Sequence, residues 1–138
     1  MDAKVNPDFW DLAEAIYARR APAIEPAALE HARRAWLDTL ACMVGGASEP
    51  ATRAAARATD TAGAEHMALV LGTASHALDY DDVCMLATCH PSAPVVSALL
   101  AGIDQRDSEV ALSDLLAAHL VGTEVMLRLG AWLGFGHY

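Results

Sequence analysis

A chain of 138 residues is long enough for one domain with a substantial core, and 54% of it is hydrophobic, above the usual proportion of about 45–50%. Eighteen acids against nine bases leave a net charge of −9, and Lys4 is the single lysine; a nucleic-acid partner is excluded on this ground, because phosphate backbones need clustered Lys and Arg. The longest stretch without a formal charge, residues 83–103, is interrupted by His90, Pro91 and Pro94, whereas a membrane span needs roughly 18 or more predominantly apolar residues, so no membrane partner is expected.

The chain opens with "MDAKVNPDFWDLAEAIYARR", which carries acids where a secretory signal carries bases; a cytoplasmic protein is expected. Asn6-Pro7 is a helix start, a capping side chain followed by a proline where a missing N–H costs nothing. This first helix is predicted to run to about Arg20, with Phe9, Leu12, Ile16 and Tyr17 on one side. Pro22 and Pro26 bracket a loop. In the second helix Leu29, Ala32, Trp36, Leu40 and Met43 recur at helical spacing, and Gly45-Gly46 ends it. Arg34 and Asp38, four residues apart, are expected to pair on its surface, worth a few tenths of a kcal/mol.

A short Ala/Arg helix follows Pro50, a Thr/Gly loop surrounds residues 58–63, and residues 64–78 are apolar enough for another helix. After Pro91, "SAPVVSALLAGI" predicts a helix to about Gln105, with its prolines in the first turn. "RDSEV" is a polar break. The last helix is predicted from an N-cap near Ser113 to about Leu133; it is apolar all round, the pattern of a buried helix. Gly122 and Gly130 would let neighbours approach closely. The three cysteines, Cys42, Cys84 and Cys89, cannot all pair, and reduced thiols are expected. The fold class is therefore all-α, a bundle of about six helices forming one domain over residues 1–138.

Between the fourth and fifth helices lies "HALDYDDVCMLATCHPSAPVV", residues 76–96, where Asp79, Asp81 and Asp82 interrupt an apolar chain ahead of His90-Pro91. Three readings are open. The aspartates could solvate and cap a turn. Asp79, Asp82, Cys84, Cys89 and His90 could hold a metal, although Cys and Asp ligands prefer different metals and adjacent Cys89-His90 matches no familiar zinc spacing. Or a carboxylate and an imidazole could be brought together for general acid–base catalysis. Spacing alone does not choose among them.

"GTASHALDYDD" followed by "HPSAPVV" strongly resembles the MmgE/PrpD family, which includes 2-methylcitrate dehydratase, cis-aconitate decarboxylase and an iminodisuccinate epimerase. "ARRAWLDTLACMVGG" is similar to the family's second-helix signature and "DLLAAHLVGTEVMLRLG" to a later one. The resemblance implies the N-terminal part of a helical domain that carries the active site, with the smaller α/β lid domain absent. It implies catalytic roles for Asp79 and His90, and substrate contact by Asp82, Val83, Cys84 and Ser92. Val83-Cys84 stand where the family commonly has Thr-His; valine cannot hydrogen-bond and a thiol replaces an imidazole poorly.

The activity so implied is a lyase reaction on a small polycarboxylate, of the 2-methylcitrate dehydratase kind and thus of propionate metabolism, with no metal and no cofactor. Such an elimination needs a base, an acid and cations to hold the substrate's charges. Cations are what these residues lack: Arg128 is the only base in the later family-like segment and stands four residues from Glu124, and a net charge of −9 would repel a polyanion. The isolated chain is therefore expected to be weakly active or inactive, completed by a C-terminal polypeptide or paired as a homodimer. The alternative is a non-catalytic helical dimerisation module or a repurposed short relative, including one of epimerase type. His76 and His119 read as packing histidines, and Asp81 and Asp82 as residues that cap and solvate the turn.

Overall fold

The computed structural model describes residues 24–58, 63–106 and 109–134. These form five helices: α1 (Pro26–Gly46), α2 (Pro50–Arg57), α3 (Ala64–His76), α4 (Ser92–Asp104) and α5 (Leu112–Leu133). The expected helix over residues 7–20 lies outside the described residues. The all-α class is as the sequence predicts, and among the described residues the sole extended feature is an isolated antiparallel bridge between Cys84 and Cys89. No described helix is long and apolar enough to cross a membrane.

Prolines open the first two helices: Pro26 and Pro50 each stand at a first-turn position, where the absent N–H leaves nothing unsatisfied. The join between them is sewn by Thr52, whose buried Oγ1 donates to the Gly46 carbonyl at 2.7 Å. Gly46 also marks the crossing of α1 and α3. A Cβ at this position would fall inside the van der Waals envelope of the Ala74 carbonyl, so no larger residue fits without moving a helix.

Helix α3 packs against α1, α2 and α4, and α4 in turn contacts α1 and α5. The core gathers Ala32, Trp36 and Met43 of α1, Ala74 of α3, Val96 of α4 and Leu116 of α5. Small residues keep the helices close: Gly72 faces Ser97 across the α3–α4 contact, and Ser97 hides its hydroxyl by donating to the Ala93 carbonyl. Trp36 is the largest of these core side chains, and truncating such a residue to alanine costs about 3–5 kcal/mol.

Four local expectations change. Arg34 does not turn toward Asp38; its Nε donates to Glu30 Oε1 at 3.3 Å, because a glutamate one turn toward the N-terminus is the better-oriented partner. The N-cap of α5 is Ala111, without a side-chain cap, so Ser113 already lies within the helix. Helix α5 is also not buried all round. Leu116, Ala117 and His119 are buried, while Leu129, Trp132 and Leu133 are exposed, because α1 and α4 cover only one side of it. Leu40, expected in the α1 core stripe, is likewise exposed.

Candidate active site

The segment between α3 and α4 is held at both ends. His76 is the last residue of α3 and Ser92 the first of α4. In between, Cys84 N–H donates to the Cys89 carbonyl at 2.8 Å and Cys89 N–H returns a bond to the Cys84 carbonyl at 3.3 Å, closing residues 84–89 into a small loop. Thr88 takes a positive φ of 49° within it. Helix α5 is pressed onto this loop at Gly130, where any Cβ would meet the backbone and Cβ of Ala87. His90 is thereby delivered beside His76.

At the centre stands Asp81, whose side chain is 0% exposed. His76 Nδ1 lies 2.9 Å from its Oδ1 and 3.1 Å from its Oδ2. His90 Nδ1 lies 3.3 Å from Oδ2, shut off from solvent and not aligned for a hydrogen bond. The two imidazole rings meet edge to face, with centroids 4.6 Å apart at 64°. One buried carboxylate therefore lies against two histidines, hydrogen-bonded to His76 and in close charge contact with His90.

Asp79 approaches from the solvent side. Its Oδ1 is 3.9 Å from His90 Nε2, and its side chain is 79% exposed. Its φ of 56° is left-handed, a conformation aspartate tolerates better than most residues, and this turn brings the carboxylate back toward His90. The two residues assigned catalytic roles by resemblance, Asp79 and His90, are thus brought together. The carboxylate nearest His90 is nevertheless Asp81, which sequence reasoning left as a capping residue, together with His76, read as a packing histidine. Helix-period patterns could not have found this pair; the signal available was an aspartate five residues after a histidine at a helix end.

Asp82 faces the other way. Its Oδ1 accepts from the Ser92 backbone N–H at 3.0 Å and its Oδ2 from the Ser92 hydroxyl at 2.5 Å. A carboxylate at this place satisfies the first turn of α4 and complements its dipole. Since the Ser92 hydroxyl proton goes to Asp82, its oxygen accepts from His119 Nε2, 3.1 Å away, which assigns the proton to that nitrogen. Burial lowers the His119 pKa from its usual value, with the nearby Asp82 charge opposing that shift. The ring also packs edge-on to Trp36, centroids 6.4 Å apart. His119 is a core histidine, as its sequence neighbourhood suggests, engaged through Nε2 while its buried Nδ1 has no hydrogen-bond partner. Asp82 and Ser92, expected at the substrate, are both committed to this network in the structure.

Val83 is exposed, and Cys84 holds the loop through its backbone. The three thiols are free. Burial raises the pKa of Cys42 and of Cys89, with Asp38, Asp81 and Asp82 adding to the first and Cys84 and Asp82 to the second, so neither is an activated nucleophile.

A groove of about 530 Å³ runs from His76 along α3, between Ala51 of α2 and Pro94 of α4. Ala68, Leu69, Thr73 and Ala77 line it, and none of the lining residues is lysine or arginine. An apolar trough of this kind does not suit a polyanion. Arg128 adds no free cation, since its Nε and Nη2 both lie 2.7 Å from Glu124 Oε1. Residues 10–138 match the family model for the MmgE/PrpD N-terminal domain. The chain belongs to the MmgE/PrpD family. No curated protein and no solved structure matches it. The Asp81 cluster is accordingly a feature of an MmgE/PrpD N-terminal domain, while the reaction is not given by the match.

Proposed function

We propose that this MmgE/PrpD domain supplies the acid–base half of a lyase that removes water from a small polycarboxylate, in the manner of 2-methylcitrate dehydratase. The observation that carries the reading is the fully buried Asp81 clasping His76 and placing His90 between itself and Asp79. A single carboxylate charge balances one imidazolium at a time. That suits a pair in which one ring takes a proton while the other gives one.

In the proposed reaction, His90 Nε2 removes the proton alpha to a substrate carboxylate. The electron pair left on carbon forms the alkene as the C–O bond at the neighbouring carbon breaks. His76 protonates the departing hydroxyl, which leaves as water. Asp81 holds the His76 ring by hydrogen bonding and lies against Nδ1 of His90 throughout, and Asp79, at the mouth, faces the outer nitrogen of His90. The charge clamp for the substrate comes from elsewhere, either a complementing C-terminal polypeptide or a second copy in a homodimer, because the groove offers no cation and Arg128 is tied to Glu124.

The test is dehydration of 2-methylcitrate by the chain alone, and by the chain mixed with the complementing polypeptide, with cis-aconitate, which has no hydroxyl to lose, as the control. Activity that appears only in the mixture and disappears with His90→Ala supports the reading. Full activity of the isolated chain would show that the cation argument is wrong, and activity indifferent to His90→Ala would show that the acid–base assignment is wrong.

A second reading, a helical association module without catalysis, is favoured by the exposed Leu37 and Val44 of α1 and Trp132 and Leu133 of α5. Uncovered apolar side chains of this size mark surfaces that meet a partner. Solution scattering across a concentration series separates the two: a stable dimer in which His90→Ala changes nothing measurable favours the module.

A further inference from the structure

His76, Asp79, Asp81 and His90 form a group whose ligand atoms all lie within 4.8 Å of one another. It is not the set that sequence spacing offered. Cys84 and Cys89 close their loop through backbone bonds and their thiols are not part of the group, Asp82 is bound to Ser92, and His76 and Asp81 take their places. We infer that this cluster binds one divalent transition-metal ion of the zinc or cobalt type.

Three features point there. Two imidazoles with two carboxylates make a mixed nitrogen–oxygen donor set, which suits zinc, cobalt or iron rather than the all-oxygen preference of calcium and magnesium. Tetrahedral coordination at metal–ligand distances of roughly 2.0–2.2 Å separates ligand atoms by roughly 3.3–3.6 Å. The two approaches to Asp81, 2.9 Å from His76 Nδ1 and 3.3 Å from His90 Nδ1, lie near that range, whereas Asp79 stands 3.9 Å from the other ring nitrogen of His90 and must swing in to complete the set. The exposed Asp79 side chain is free to close the widest gap. Finally, His90 Nδ1 is a buried nitrogen without an aligned hydrogen bond, and Asp81 is a fully buried carboxylate facing two neutral or singly charged rings. A cation entering here replaces the proton shared by His76 and Asp81 and gives both carboxylates a partner.

The inference rests on the donor set, its spacing and the unpartnered His90 nitrogen, independently of the lyase reading. The two do interact, since a metal on His90 and a proton on His90 exclude each other. A bound ion therefore holds the acid–base pair out of action.

Equilibrium dialysis of the chelator-treated full chain against Zn²⁺, with the metal counted by mass spectrometry, and titration with Co²⁺ followed by its visible absorption, test the site. The expected result is one ion per chain and the intense visible bands of a four-coordinate cobalt. His76→Ala, Asp81→Asn and His90→Ala should each weaken binding by more than about 100-fold, above the 10–100-fold cost of losing an outer-shell partner. Asp79→Asn should cost less. His31→Ala, a control on exposed α1 surface, should leave binding unchanged. Circular dichroism of each variant confirms that the helices persist, and the isosteric Asp81→Asn keeps the test valid if an alanine variant unfolds. No saturable binding, binding within twofold of wild type in folded His76→Ala and His90→Ala, or loss in the control would overturn the inference. Cobalt binding by the chain together with no activity in the metal-free, complemented enzyme sinks only the lyase reading, and activity in that enzyme with no cobalt binding sinks only this.

Discussion

Asp81 and Asp82 are chemical twins one residue apart, and the fold gives them opposite tasks. Asp82 turns inward, where its carboxylate takes the backbone and hydroxyl protons of Ser92 and, through that serine, anchors His119. None of these three residues lines the groove. Asp81 is at least as buried, but the histidines it holds reach outward: His76 borders a groove and His90 faces Asp79 at the surface. The contrast shows that burial of a carboxylate does not separate structure from chemistry. What separates them is whether its partner has a second nitrogen open to solvent.

The sharpest way to break the comparison is Asp82→Ala. It removes two hydrogen bonds to a charged acceptor from the first turn of α4, and a loss of about 3–5 kcal/mol in stability is expected by denaturant unfolding. Any activity should fall only in step with the folded fraction. The mirror experiment is His90→Ala. At a partly exposed ring, stability should change by no more than about 1 kcal/mol, whereas turnover in the complemented enzyme should drop at least about 100-fold. If the two variants exchange phenotypes, the division of labour between the neighbouring aspartates is wrong.

A milder probe tests the wall behind the site. Gly130→Ala places a methyl group against the Ala87 backbone, and overpacking of this kind costs about 1–3 kcal/mol. Because Ala87 lies in the loop that delivers His90, turnover should fall by more than the loss of folded protein explains, and kinetics corrected for folded fraction would show it.

The smallest effect concerns pH. His119 has a folded-state pKa below its unfolded value, chiefly through burial. The unfolded chain then takes up a proton first as acid is added, so stability is fully present above about pH 6.5 and is lost as pH falls through the folded-state value. Denaturation midpoints measured from pH 7.5 downward should decline, and His119→Gln should flatten that decline. An unchanged slope in the variant would assign the acid sensitivity to other groups.

The helices were legible because their signals are local. Pro26 and Pro50 start helices wherever they stand, and the recurrence of Ala32, Trp36 and Met43 needs only the helical period to be read. Gly130 was picked out as a close-approach point for the same reason, a missing side chain on an apolar helix. Leu40 and the far end of α5 were misjudged because exposure depends on which neighbour lies opposite, and no period encodes that. Arg34 had two acids within one turn, and pattern alone did not weigh their orientation.

By itself, then, the sequence determined the all-α class, the helix limits to within a few residues, the MmgE/PrpD membership and the segment in which Asp79 and His90 meet. Only the tertiary structure decided that Asp81 is the hub, that His76 joins it, and that Asp82 and Ser92 belong to His119. The reason is physical. Capping and periodicity are properties of a few consecutive residues, whereas the partner of a carboxylate is set by how α3, α4 and α5 pack. A rotation of one residue in the loop would exchange Asp81 and Asp82 without altering a single helical signal.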